Sequence, residues 1–186
     1  MNYVVDDVKK VVDLIIAGGY TYDDSANNNG LPLFIPGHEL EINNRLQMML
    51  NNPATRDFRF PVVCLFFDIE ERMIGGVRNL SLNMLLANKT NASLNTEERY
   101  QDTNSFKKVL YPLFESFMDA LSDSGLFMWP GVADRPEHSK IDRPFWGTPV
   151  IKDGGATQAN KANIFTDYID AIQIRGLKIN QKIKYC

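Results

Sequence analysis

The stretch that most constrains this chain is residues 60–67, Phe-Pro-Val-Val-Cys-Leu-Phe-Phe, an unbroken apolar run closed by Asp68. It is short and rich in β-branched and aromatic residues, which predicts a strand buried on both faces. Pro61 cannot donate to a strand ladder and must stand at its start. Such a strand needs neighbouring strands and covering helices.

Helical periodicity recurs elsewhere. Val4, Val8, Val11, Val12, Ile15 and Ile16 share helical spacing until Gly18-Gly19, predicting a first amphipathic helix. Residues 38–51 predict a second, shorter helix with Leu40, Leu46, Met49 and Leu50 as its main apolar residues, broken by Pro53. The longest stripe is Phe106, Val109, Leu110, Leu113, Phe114, Phe117, Met118 and Leu121, running down to Gly125. Pro112 lies inside it and is expected to kink or divide that helix.

Leu80, Leu82, Met84 and Leu86 alternate with Asn79, Ser81, Asn83 and Leu85, mostly the period of a strand with one wet face. The charged residues 68–72 and the Gly75-Gly76 turn precede it, and the strands on either side of those glycines are expected to form a hairpin. Residues 168–179 alternate again through Ile172 and Ile174, then Leu177 and Ile179, with a bulge expected at Gly176. Residues 20–38 carry Asn27-Asn28-Asn29-Gly30, Pro32 and Pro36 and read as a long irregular segment. Leu31, Leu33, Phe34 and Ile35 within it can dock on this subunit's core or on a neighbour's. Residues 88–96 and 152–162 read as further loops, the second of them mobile.

The order is helix, loop, helix, strand, strand, long helix, loop, strand. It predicts an α+β class: a two-layer sandwich in which helices cover one face of a small, mainly antiparallel sheet, with long loops and an N-terminal arm. The 186 residues suit a single domain, 1–186.

Charge narrows the functional classes. Lys plus Arg number 20 against 23 Asp plus Glu, a formal net charge of −3, so a basic stripe for gripping nucleic acid is not expected. Contact with DNA only along the lumen of a ring stays open. Acids at Asp6 and Asp7 interrupt the N-terminal apolar pattern, against a secretory signal, and no apolar stretch approaches the roughly 20 residues that cross a bilayer. Cys64 and Cys186 are the only cysteines, so a disulfide framework is not expected.

Catalytic constellations are sparse. His38 follows Pro36-Gly37 at a helix start, which points to a cap or surface role. His138 and Asp142 stand four apart, but Pro136 and Pro144 flank them and two ligands do not close a metal site. Asp68, Glu70 and Glu71 end the apolar strand, where a solvated turn is the simpler reading and a hydrolase using Asp68, Glu70 and His138 the sharper one. No phosphate-binding glycine loop, nucleophile elbow or Cys/His pairing is apparent. The expectation is a protein with no catalytic residues, cofactor or metal.

Two further segments exceed what a simple monomer needs. Residues 95–100 enter the long helix, with Thr96 as the expected cap and Glu97 and Glu98 in the first turn. Residues 140–147 place Asp142, Arg143, Phe145 and Trp146 together, a mixture suited to an interface or to a Trp packing on the core. Arg99, Tyr100, Asp142, Arg143, Phe145 and Trp146 are therefore the candidate interface residues.

These segments, in this order, carry a resemblance. It runs from the apolar strand at 60–67 through Glu97-Glu98-Arg99-Tyr100 to Phe106-Lys107-Lys108-Val109-Leu110-Tyr111-Pro112-Leu113 and Phe117. Then come Asp142-Arg143-Pro144-Phe145-Trp146-Gly147 and Asp167-Tyr168-Ile169-Asp170-Ala171-Ile172. Together they resemble neck or ring proteins of tailed phages of Bacteroidetes, including the crAss-like phages. The likeness spans residues 60–179 and leaves the N-terminal portion outside. It implies a tail-terminator-like α+β core at 60–186, preceded at 1–59 by N-terminal helices and a long loop. It also implies a structural, non-enzymatic subunit of a head–tail connector ring around the DNA channel. Its expected partners are further copies in a cyclic homo-oligomer and the portal or other connector and tail ring proteins, with non-specific DNA contact in the channel and no membrane. Its expected place is the virion neck, assembled in the bacterial host cytoplasm. A generic protein-interaction module is the alternative outside this family.

Overall fold

A computed structural model describes residues 3–18, 31–55, 60–91, 93–101, 104–129, 134–146 and 168–182. The hydrophobic run becomes β2 (Val62–Phe66), with Val62, Val63, Cys64 and Leu65 fully buried. Its neighbours are β1 (Leu33–Gly37), which pairs parallel to it, and β4 (Val77–Thr90), which pairs antiparallel. β3 (Glu70–Ile74) joins the same side of β4 beyond the end of β2. β6 (Tyr168–Lys182) runs antiparallel along nearly the whole of β4, and β5 (Ser139–Arg143) closes the far edge. The order is β1-β2-β4-β6-β5, with β3 off that path, giving a mostly antiparallel sheet in an α+β fold.

The hairpin forms around Gly75-Gly76, whose φ angles of 59° and 76° match the turn that suits twisted strands. Its first strand is residues 70–74, not the buried run, because the charged segment continues as β3 after a break at 67–69. The bulge also forms where expected. Leu82 pairs with Leu177 but Met84 with Ile174, so two residues of β6 oppose Asn83, and Gly176 takes φ 60°. The Asn83 side chain accepts from the Gly176 N–H at 3.0 Å.

Alternation divides the core into two. Val63, Leu65, Leu82, Met84, Leu86, Ile172, Ile174 and Leu177 face α1 (Val4–Ala17) and α3 (Tyr111–Asp123). Val62, Cys64, Leu85, Ala87, Ile169 and Ala171 point the opposite way, against α2 (Glu39–Asn51). Two helices thus share one face, while α2 covers part of the other, which is why Leu85 is buried on the side expected to be wet. α2 contributes Ile42 and Leu46; Leu40 is 62% exposed, and the Leu50 side chain lies outside the described residues. Pro112 divides the long helix as anticipated: a π-helical turn at Phe106–Leu110 gives way to α3, with the proline in its first turn, where the missing N–H is harmless.

Two segments read as irregular are strands. Residues 33–37 form β1 because β2 offers them a parallel ladder, and Pro36 is tolerated on that edge strand. Residues 139–143 are drawn into β5 by pairing with 171–175 of β6. The strand β4 also extends to Thr90, into the segment expected as a loop. Asn27-Asn28-Asn29-Gly30, residues 152–162 and Cys186 lie outside the described residues.

Candidate interaction surface

The short turns around β6 build a buried latch. Asn95 and Glu98 cap each other: the Glu98 N–H donates to Asn95 Oδ1 at 2.9 Å, and the Asn95 N–H to Glu98 Oε2 at 2.8 Å. This reciprocal pair leads into a 3-10 turn at Glu98–Tyr100, and it is the Asn95 side chain, not that of Thr96, that accepts the N–H of Glu98. The turn points Arg99 inward, where its side chain and that of Asp170 are both fully excluded from solvent, Nη1 to Oδ1 at 2.7 Å. Arg99 also donates to Leu94 O, Asn91 O and Thr90 Oγ1 at 3.0–3.2 Å. One guanidinium therefore ties the end of β4 and the following loop to β6.

The segment after β5 completes the latch. The Phe145 ring lies 3.5 Å from the Arg99 guanidinium carbon, and its N–H donates to Asp170 Oδ1 at 3.1 Å. Phe145 reaches this position at φ 57°, a left-handed conformation that non-glycine residues adopt uncommonly. Tyr168 meets the same ring edge-on at 6.0 Å. Asp170 Oδ2 is buried and has no hydrogen-bond partner among the described residues.

Beside it sits an aromatic stack. Tyr100 lies parallel to Phe106 at 4.3 Å, and Phe106 meets Tyr111 at 5.9 Å. The Tyr111 hydroxyl donates to Asp142 Oδ2 at 2.7 Å, and Lys140 lies over the Tyr111 ring at 4.1 Å. Burial, then the bond to Asp142, raises the Tyr111 phenol above its ordinary range; burial does the same to Tyr100, helped by Asp142 and Asp170.

On the face carrying α2, an open groove of about 410 Å3 is lined by Phe66, Phe67 and Trp146, with Glu39, Asp68 and Arg175 among its polar residues. Asp68 is anchored by Asn83 Nδ2 at 2.8 Å, which links this groove to the bulge. At the far end of the sheet, β3 is exposed along its whole length, with Met73 at 52% and Ile74 at 65%.

The candidate interface residues therefore divide. Arg99, Tyr100, Asp142 and Phe145 come together as an internal latch, and Arg99 in particular has no surface to offer a partner. Asp142 and Arg143 do not pair, because successive strand residues point to opposite faces: Asp142 takes Tyr111 and Lys140, while Arg143 donates to Gln173 at 3.2 Å. Trp146 packs against the second core and lines the groove. Phe67, read as the end of the doubly buried strand, lies just past β2 and is 54% exposed, because the strand ends at Phe66. Met73 and Ile74 were not singled out from the sequence, although apolar residues between charges and glycines could have marked an exposed edge.

The residues weighed for hydrolysis do not converge. Asp68 lies at the groove on the α2 side, Glu70 pairs with Arg72, and His138 packs against Phe114 of α3 on the other face. Among the described residues no three His, Cys, Asp or Glu side chains gather as a metal site. His38 caps α2 through a capping box with Glu41. The buried Cys64 thiol is pushed up to about 12, the behaviour of a packing residue. Among the described residues no helix is long and apolar enough to cross a membrane.

Comparison with family models and with curated protein sequences finds no match.

Proposed function

We propose that this chain is a non-enzymatic structural subunit of a phage head–tail connector ring, placed around the DNA channel in the virion neck. One observation carries the reading. The segments whose order resembles phage neck proteins are far apart in sequence, yet Arg99 and Tyr100, Phe106 and Tyr111, Asp142 and Phe145, and Tyr168 and Asp170 meet in one cluster. Their joint occurrence thus has a physical reason: they pack into the latch or into the aromatic stack beside it. A ring subunit also needs surface to bury against its neighbours, and the chain keeps apolar side chains exposed at β3 and in the groove.

In this reading the subunit forms a cyclic homo-oligomer through a heterologous interface, stacked on the portal or on other connector and tail rings. DNA passes the lumen without sequence readout, in keeping with the net charge of −3. Assembly takes place in the bacterial host cytoplasm. Imaging the neck of particles from the phage that encodes the chain tests this directly. Density in a closed ring below the portal should fit the six-stranded sheet and its helices. Particles that lack the chain altogether would sink the reading.

A further inference from the structure

A line of polar contacts joins the N-terminal helix to the hairpin at the end of the sheet. We infer that it couples the two, so that release of an ion pair within the hairpin loosens the docking of α1.

The line begins at a buried acid. Asp7 stands in the first turn of α1 at 1% exposure, and Lys10 donates to its Oδ1 at 2.7 Å. Its other oxygen accepts from Gln181 Nε2 of β6. Gln181 Oε1 in turn accepts from Arg78 Nη1 of β4 at 3.2 Å, and Arg78 Nε pairs with Glu71 Oε1 of β3 at 2.8 Å. The Gln181 amide fits only one way round. A flip would set its N–H groups against the guanidinium and its oxygen against the carboxylate. A change at Arg78 therefore reaches Asp7 through this amide.

Strand alternation puts the line on one face of the sheet. Arg78 and Gln181 are direct cross-strand partners and share the face of Leu80 and Ile179, which lie in the core under α1 and α3. Glu71 stands opposite Leu80 and points the same way, whereas Glu70 and Arg72 point to the other face and pair with each other. Exposure rises outward, from the buried Gln181 to 15% for the Arg78 side chain and 42% for that of Glu71. The outer end is thus within reach of a neighbouring molecule, while the inner end holds a carboxylate that needs donors away from water. Without Gln181, Asp7 keeps only Lys10 as a side-chain donor among the described residues, and that side chain is 54% exposed. Local opening of α1 then rehydrates the acid. By reciprocity, undocking α1 loosens the hold on Arg78. The device belongs to the single chain and does not depend on assembly into rings.

The test is hydrogen exchange of the full chain, followed peptide by peptide by mass spectrometry. Glu71→Gln should speed exchange across residues 8–17 of α1 by about two- to fivefold, the scale of one part-exposed ion pair. Exchange in α3 should stay as in wild type. Glu70→Gln, which breaks the Arg72 pair on the other face, should leave α1 unchanged. In a Gln181→Met background, where the line is cut, Glu71→Gln should add nothing further. Unchanged α1 exchange in Glu71→Gln overturns the inference, and so does a further rise in the Gln181→Met background. An equal rise in α1 and α3 overturns it as general destabilisation. An equal effect of Glu70→Gln overturns it as loosening of the hairpin alone. If Gln181→Met does not fold, the two glutamate variants decide by themselves.

Discussion

Arg99 and Asp170 form an ion pair at 2.7 Å although 71 residues separate them and neither side chain touches solvent. Charges this deep persist only when partners offset their lost hydration. Arg99 has four more acceptor contacts, on Leu94, Asn91 and Thr90, and Phe145 covers its face. The pair joins the loop after β4, the turn after β5 and the start of β6, so the arrangement of these three depends on it.

Removing one partner should therefore cost more than any surface substitution. Arg99→Ala and Asp170→Ala are each expected to destabilise the chain by roughly 3–5 kcal/mol, because the remaining charge is stranded. The double variant should cost less than the sum of the singles, as their coupling requires. Urea unfolding of the four proteins measures this cycle. Strict additivity would mean that the two charges do not support each other.

The two helical layers differ in what their apolar residues do. Phe117 is fully buried between α3 and the sheet, so Phe117→Ala should cost about 3–5 kcal/mol. Leu40 and Met48 on α2 are 62% and 72% exposed, and alanine at either should change stability by no more than about 0.5 kcal/mol. If Leu40→Ala leaves the isolated chain unaffected but weakens assembly, that surface of α2 is an intersubunit contact.

Alkaline pH probes the tyrosines beside the latch. A tyrosine whose folded pKa is raised lends its full stability below the unfolded value, about 10, and loses it as pH climbs further. Tyr111 should thus give stability no pH dependence near neutrality and make it fall above about pH 10. Tyr111→Phe should lose on the order of 1 kcal/mol at neutral pH with its hydrogen bond to Asp142, and show a shallower alkaline decline. Urea midpoints across that range for both proteins give the comparison, and parallel curves would remove Tyr111 as a cause.

The features legible in the sequence are those written locally. The buried strand, the amphipathic α1, the division at Pro112, the bulge at Gly176 and the His38 cap each follow from period, a missing N–H, a positive φ or a side-chain acceptor. β1 and β5 were not legible, since residues 33–37 include a proline and residues 139–143 are mostly polar; pairing with β2 and β6 makes them strands. The second core was hidden for a similar reason. Ile42 and Leu46 form a narrow stripe on a largely polar helix, and Leu85 looks like an exception to an alternating strand. At the candidate site the sequence singled out Arg99, Asp142, Phe145 and Trp146, but not the contacts they make. A charged residue is ordinarily at the surface, and only its distant partner Asp170 reveals Arg99 as internal.

Trp146 and Asp142 make a sharp contrast within one short segment. Trp146 packs its indole on the second core beside the groove, so truncation removes apolar contact from both. Because the ring is only partly buried, Trp146→Ala is expected to cost about 2–3 kcal/mol, below the range for a fully enclosed aromatic. Asp142→Asn keeps an oxygen to accept from Tyr111, and its pairing with Lys140 at 3.3 Å is partly exposed. Such pairs contribute about 0–1 kcal/mol, so the amide should be tolerated. If Trp146 also anchors a neighbouring subunit, the alanine variant should enter particles poorly, while Asp142→Asn enters as wild type does. Thermal unfolding and incorporation into particles, measured for both variants, separate these effects. A Trp146→Ala protein equal to wild type in both would deny this indole any anchoring role.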